Sequence, residues 1–310
     1  MNDKGYRVAI LGGTGFAGQN VRNELVAAGM VVEIFSRSTG CDILNLPMAQ
    51  TKLNAFCPTH VVNCAAHVGS VKYVTDFAAD VVDENLRMLL NIYKIIHQMR
   101  QAIVINPIAN CAYPGLLDLY EESRFWDGPI HPSVLSYGST RRMIEVLSGC
   151  YRAQYGVRSA NVFVPNMYGP FDSTDPGKTH ALNALVIKFV RASKMGAAEV
   201  EVWGSGKPIR EWLFVKDFAR VVRRLVEKNE ELLNPVNIAQ NYGLSVDELV
   251  GIICAKVQYK GRVVKNTKYP DGAPKKVMDD RLFRQRFSDF RFTSLEQGLT
   301  ATIEYYQTIL

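Results

Sequence analysis

The sequence predicts an α/β protein built on a doubly wound parallel sheet, and three observations point there. Short apolar runs bounded by glycine, proline or asparagine alternate with helical patterns through the first half of the chain. Those runs are apolar almost throughout, as strands buried on both faces are. A glycine-spaced turn, "LGGTGFAG", follows the first run directly and opens a helix.

"RVAILGG" (7–13) supplies the first strand, and Val21, Leu25 and Val26 recur at helical spacing behind it. "VVEIFS" (31–36), "HVVNCAA" (60–66), "AIVINP" (102–107) and "ANVFVPN" (160–166) are the further strands. From about residue 171 the pattern loosens, and "GPFDSTDPGKTH" and "KYPDGAPKKVMDD" read as long loops, which in a compact domain are often functional. No internal repeat, low-complexity segment or Gly/Ser linker interrupts the chain. The expected architecture is a Rossmann-type doubly wound parallel sheet over residues 1–170 and a smaller C-terminal substrate-binding lobe over 171–310. Chain around 208–240 is expected to return to the first domain.

With 310 residues, 47% hydrophobic and 21% charged, the chain can bury a large core. Cys41, Cys57, Cys64, Cys111, Cys150 and Cys254 show no CxxC or Cys/His spacing, so neither a disulfide framework nor a metal site is suggested. Most are expected to be reduced core thiols. The net charge of +6 is mild, and its basic residues form no block interleaved with aromatics, which favours anionic small molecules over nucleic acid. "MNDKGYRVAILGG" lacks a signal-peptide cleavage pattern, and no apolar run approaches the roughly 18 residues of a membrane span. No membrane association and a cytoplasmic location are the expectation.

Gly12, Gly15 and Gly18 stand at three-residue spacings between a strand and a helix, with Thr14 and Phe16 among them. Glycine lets the backbone turn tightly and approach a pyrophosphate, while the helix's free N–H groups and dipole favour negative charge. Three glycines alone can be a structural turn; the strand-then-helix context favours a dinucleotide. No Lys-Ser/Thr follows, which argues against a triphosphate loop. After the second strand, "FSRSTGCDIL" offers Arg37 where an NAD site usually places an acid, and an Arg can meet the 2′-phosphate of NADP. NADP is therefore favoured over NAD, the alternative being that Arg37 is only a solvated surface residue. Asp42 falls near the expected adenine.

"SYGSTRR" (136–142) sets Tyr137 and Arg141 four residues apart on one helix face. A neighbouring positive charge favours phenolate and makes Tyr a better proton carrier near neutral pH. Lys would do this as a compact charge; Arg keeps the charge but is planar, bulkier and differently aimed.

Together with "NCAAHVGSV", "NCAYPG", "YRAQYGVRSANVFVPNMYGPFD", "VWGSGKPIREWLFVKDFA" and "YKGRVV…YPDGAPKKVMD", these residues resemble the GDP-L-fucose synthase family, an NADP-dependent branch of the extended short-chain dehydrogenase/reductases. The resemblance runs through nearly the whole chain. It implies a GDP-sugar with a ketone at carbon 4, epimerised beside that ketone and reduced by NADPH. It implies Cys111 as base and His180 as acid of the epimerising pair, and Tyr137 as proton donor with Arg141 beside both it and the cofactor. Ala65 and Ala66 fall at the family's cofactor contacts. Asn166, Arg210, Trp203, Lys207, Lys276 and Asp271 fall at its substrate contacts. For Arg210 the alternative is a structural salt bridge with Glu211 or Asp217, and for Trp203 a place in the core. A homodimer through two helices of the sheet domain is a further family expectation.

Two positions depart from the family. Ala109-Asn110-Cys111 replaces Ser-Ser-Cys, removing the hydroxyl that would bind the ketone, and Arg141 replaces Lys. Asn110, Ser136 and Ser139 are the polar residues that could stand in for the lost donor. Three readings follow: an epimerase/reductase with an altered site, an epimerase with little reduction, and a sugar-nucleotide-binding or regulatory protein. The first is preferred because Cys111, His180, Tyr137 and Arg210 are all retained.

Overall fold

The computed structural model describes residues 5–99, 101–269 and 271–310. Its first half runs β1 (Arg7–Leu11), α1 (Phe16–Ala27), β2 (Val31–Phe35), α2 (Leu46–Phe56), β3 (His60–Asn63), α3 (Val71–Asp76), α4 (Ala78–Met99), β4 (Ile103–Ala109), α5 (Leu135–Tyr155) and β5 (Arg158–Val164). Neighbouring residues of a strand face opposite sides of a sheet, and here both sides are apolar. Val8 and Ile10 of β1 enter one hydrophobic cluster while Ala9 and Leu11 enter another. Ile103 and Ile105 of β4 divide from Val104 and Ile108 in the same way. Burial on both faces is why these strands carry no polar alternation.

The chain continues through β6 (Asn166–Tyr168), α6 (Ala181–Met195), β7 (Glu199–Trp203), β8 (Ile209–Arg210), β9 (Trp212–Phe214), α7 (Val215–Lys228) and β10 (Val236–Asn237). It ends with β11 (Leu244–Ser245), α8 (Val246–Val257), β12 (Arg262–Asn266), β13 (Lys275–Lys276), α9 (Arg281–Arg286) and α10 (Leu295–Ile309). The central sheet has the order β10-β5-β4-β3-β1-β2, with every pair parallel. Leu53 of α2, Leu89 of α4 and Ile144 of α5 cover one face. Leu25 of α1 and Val222 of α7 cover the other, so the sheet is doubly wound as expected. A third cluster joins Phe189 of α6, Val202 of β7, Ile253 of α8 and Tyr306 of α10.

Strand order reverses at β1, with β2 on one side and β3, β4 and β5 on the other. Ligands bind open α/β sheets in the crevice at the carboxyl ends of such a reversal. Leu11 and Asn63, the last residues of β1 and β3, are paired, so the glycine turn and the segment carrying Ala65 and Ala66 emerge side by side. The expected third strand, 60–66, therefore stops three residues early, where the chain leaves the sheet for this crevice.

All six cysteines are free: Cys41 is buried in the core, Cys64 and Cys254 pack part-buried against it, and Cys111 is part-buried. Cys57, which caps the end of α2 in a left-handed conformation, and Cys150 on α5 are exposed, so two of the six are surface thiols. Among the described residues no helix is long and apolar enough to cross a membrane.

Candidate functional site

Gly12 has φ +70°, and a Cβ there would lie 2.7 Å from the Cys64 carbonyl oxygen and 2.8 Å from Ala65 Cα. A Cβ on Gly18 would lie 2.4 Å from the Gly12 carbonyl oxygen. The first glycine lets two strand exits meet; the second lets α1 begin against its own turn. Gly15 is the N-cap of α1, with Thr14 before it and Phe16 after it. The free N–H groups of the first helical turn thus stand at the crevice, a cradle that fits a pyrophosphate. Gly13 went unnoticed in the sequence, although a Cβ there would lie 2.4 Å from Ile34 Cβ.

Beyond β2, Ser36 caps a 3-10 turn, Arg37–Thr39, and Ser38 Oγ donates to Thr14 Oγ1 at 3.2 Å. This knot sets the exposed Arg37 at the rim of the glycine turn. Asp42 Oδ1 accepts from Leu44 N at 3.0 Å and shapes the next bend. A 2′-phosphorylated dinucleotide fits these groups.

On the other side of the crevice, α5 packs on the 3-10 turn Asn110–Ala112 that ends β4. A Cβ on Gly138 would lie 2.6 Å from the Cys111 carbonyl oxygen, so glycine next to Tyr137 is what permits the approach. The Arg141 guanidinium lies over the Tyr137 ring, 5.1 Å from its centroid. Arg141 is buried, and its Nη2 donates to Asn85 Oδ1 at 2.8 Å. Asn85, in the middle of α4, also accepts from His67 N at 3.1 Å and donates to His67 O at 2.8 Å, tying α5 to the loop after β3. Sequence reading missed Asn85, since its partners lie 18 and 56 residues away.

Burial pushes the Tyr137 phenol up; the Arg141 charge draws it down without cancelling the shift, and Cys111 adds to the rise. The Arg141 charge thus acts in the expected direction, toward phenolate, and burial, which the sequence does not show, acts against it. Burial also pushes the Cys111 thiol up, against the charges of Lys276 and then Arg141. Asn110 is buried, and neither its Nδ2 nor Arg141 Nε finds a hydrogen-bond partner among the described residues. Ser136 cannot replace the missing serine, because its hydroxyl donates to Val74 O at 2.7 Å. Ser139 lines a groove with Ala79, Leu86 and Leu90 of α4.

His180 is the N-cap of α6, and its Nδ1 lies 3.0 Å from Oδ2 of the buried Asp172. Its ring packs on Phe16 of the glycine turn at 5.0 Å, which brings it to the cofactor crevice.

Arg210 does not pair with Glu211 or Asp217. It donates from Nη1 to Ile209 O at 2.9 Å and from Nη2 to Asp271 O at 3.0 Å, while Asp217 holds Arg220 and Thr293. Lys276 stands beside Arg210 in the parallel β13–β8 pair. Asp271 accepts from Ser205 N and Oγ, both at 2.7 Å, fixing the turn that carries the exposed Lys207. Trp203 is not a core residue: it is 44% exposed and stacks on Tyr269, with ring centroids 4.2 Å apart. Asn166 Nδ2 donates to Glu211 O at 3.4 Å. Glu211, which the sequence offered only as a salt-bridge partner for Arg210, is fully buried and accepts from Gln240 N at 2.6 Å and Met278 N at 2.8 Å. Burial pushes its carboxyl up to about 7, against those two hydrogen bonds. It fixes the strand of Arg210 to the chain that carries Lys276.

A glycine cradle at a sheet's switch point, faced by a tyrosine helix, defines the extended short-chain dehydrogenase/reductase class of nucleotide-dependent enzymes. The NAD dependent epimerase/dehydratase family profile matches residues 8–239, and the chain belongs to that family, in its GDP-L-fucose synthase-like branch. It is 30% identical to the GDP-L-fucose synthase of Escherichia coli K12 over 97% of this chain and 96% of that one. It is 28% identical to a probable GDP-L-fucose synthase of Oryza sativa subsp. japonica over 99% and 93% of the two chains. A GDP-L-fucose synthetase from Naegleria fowleri, solved bound to NADP, shares the fold at a TM-score of 0.87 and 23% identity, over 99% of this chain and 94% of that one. A GDP-6-OMe-4-keto-L-xylo-heptose reductase from C. jejuni shares it at 0.89 and 21% identity, over 98% of both chains.

Proposed function

We propose that this chain is an NADPH-dependent epimerase/reductase acting on a GDP-4-keto-6-deoxy sugar, in nucleotide-sugar and polysaccharide biosynthesis. The observation that carries the reading is its full-length likeness to a GDP-L-fucose synthase. Gly12, Thr14, Gly15, Phe16 and Gly18 would hold the dinucleotide's pyrophosphate, Arg37 its 2′-phosphate, Asp42 its adenine side, and Ala65, Ala66 and Arg141 its nicotinamide half. NADPH, when bound, supplies the hydride.

A C–H bond beside a ketone ionises because charge spreads to the carbonyl oxygen, and donors aimed at that oxygen stabilise it. Tyr137, kept protonated by burial, suits a donor to this oxygen. The unpaired amide of Asn110, one residue beyond the Ala109 that replaces the family's hydroxyl, suits a second donor. Cys111 removes the proton, helped by the Lys276 and Arg141 charges, and His180 delivers one to the opposite face. Arg210, Lys207 and Lys276 suit the diphosphate. Trp203 offers an aromatic face to the base, Asn166 a sugar contact, and Asp271 holds the Lys207 turn.

The partner surface favours a second copy of the chain. Leu90 of α4 and Leu135 and Val146 of α5 are exposed apolar residues, and a groove of about 750 Å³ runs between Ala78, Val82, Leu86 and Leu135. Two such helix pairs would bury each other. Light scattering is expected to return twice the chain mass; a monomer at micromolar concentration refutes this pairing.

The reaction is tested with GDP-4-keto-6-deoxymannose in deuterated water, with and without NADPH, followed by NMR and nicotinamide absorbance. Deuterium uptake beside the ketone together with NADPH oxidation is expected. Uptake without oxidation would mean an epimerase alone, and neither signal, with binding intact, would overturn the enzymatic reading.

A further inference from the structure

We propose that Asp172 is the positioning residue for His180, holding the proton on Nδ1 so that Nε2 is the nitrogen that exchanges with the sugar. This rests on the assignment of His180 as the acid of the epimerising pair.

The geometry is specific. Both Asp172 oxygens lie near His180 Nδ1, at 3.0 and 3.1 Å, and Oδ2 also accepts the backbone N–H of His180 at 2.9 Å. One carboxylate thus grips both the ring and the main chain of the same residue, leaving the imidazole little freedom about its side-chain torsions. Asn183 Nδ2 donates to Oδ2 at 2.8 Å and Ser173 N to Oδ1 at 2.9 Å, so the carboxylate is itself held from α6 and from its own loop. The side chain of Asp172 is only 2% exposed, while that of His180 is 38% exposed. The buried partner is saturated with N–H donors, and the imidazole is left part-exposed.

A carboxylate accepts from Nδ1 only if Nδ1 carries the proton, which leaves the Nε2 lone pair as the site of protonation. His180 is also the N-cap of α6, so the same carboxylate fixes where that helix begins. Burial pushes the Asp172 carboxyl up, but hydrogen bonds from His180 and Asn183 outweigh this and hold it below its ordinary value. The loop that carries Asp172 is anchored to α1 as well, through Asn20 Nδ2 donating to Pro170 O at 3.0 Å. The acid is therefore indexed to the same helix that begins the cofactor cradle.

The test combines a tautomer measurement with a kinetic split. In the substrate-free native protein, nitrogen-resolved NMR of His180, assigned by its loss in His180→Gln, is expected to show the proton on Nδ1. A proton on Nε2 overturns the inference. In Asp172→Asn, inversion of the sugar centre is expected to fall about 10²–10⁴-fold, the usual contribution of a positioned general acid, the upper end being the loss on the same exchange in the Asp–His pair of a serine protease. Deuterium wash-in without inversion, which needs only the Cys111 face, is expected to persist with KM within about threefold, and Asp172→Glu is expected to recover part of the loss. Inversion and wash-in falling together, or neither falling, overturns the positioning role. If the underlying reading is wrong, the failure shows in the native protein instead, which then exchanges no deuterium, and the inference falls with it.

Discussion

Replacing Cys111 by serine is expected to lower deuterium exchange beside the sugar ketone by about 10²–10⁴-fold, the usual contribution of a positioned general base. The substitution keeps side-chain size and the 3-10 turn Asn110–Ala112, so loss of exchange reports the lost thiol. A serine hydroxyl has no thiolate-like state near neutral pH, and the charges of Lys276 and Arg141 that favour the Cys111 thiolate have nothing comparable to act on. Reduction of the unepimerised keto sugar by NADPH is expected to survive, because Tyr137 and the cofactor cradle are untouched. Exchange persisting in the variant would remove Cys111 from the role of base. Loss of exchange and reduction together would show that the turn, and not the thiol, was damaged.

Replacing Tyr137 by phenylalanine is expected to slow NADPH oxidation by about 10²–10⁴-fold while leaving NADPH affinity within a few-fold. The ring stays, and with it the face on which the Arg141 guanidinium rests at 5.1 Å, so α5 and the Arg141–Asn85 hydrogen bond have no reason to move. What is lost is one hydroxyl, in a site already without the serine that Ala109 replaces. With Asn110 as the only other donor assigned to the oxyanion, the remaining rate is expected to be small. An undiminished rate would place the proton donor elsewhere and make the Tyr137–Arg141 spacing an ordinary feature of a helix face.

The parts of the site legible in the sequence are those whose geometry is local. A strand, a glycine turn and a helix follow one another within residues 7–27, so their spacing alone predicts a cradle. Tyr137 and Arg141 share a helix face because they are four residues apart. The groups that were missed, or given another role, act across the fold. Asn85 meets Arg141 from another helix, and Glu211 bridges residues 240 and 278. Asp172 stands eight residues before His180 in a loop with no periodicity to reveal which side chains face each other. The same cause explains the corrections. Ser136 was open as a donor until α3 proved close enough to take its hydrogen bond, and Trp203 was open as a substrate contact or a core residue until β7 left it at the surface on Tyr269.

By itself, then, the sequence determined the alternation of strands and helices, the dinucleotide cradle, the branch of enzymes to which the chain belongs and the two positions where it departs from them. Short-range periodicity and residue-specific backbone freedom are properties of contiguous chain, so they are written in order. The tertiary structure alone decided that Arg141 is buried against Asn85 and stacked on Tyr137. It also decided that burial outweighs that charge at the phenol, and that Asp172 stands behind His180. Each of these depends on desolvation and on contacts between distant segments, and both come into being only when the sheet and its helices close around the crevice.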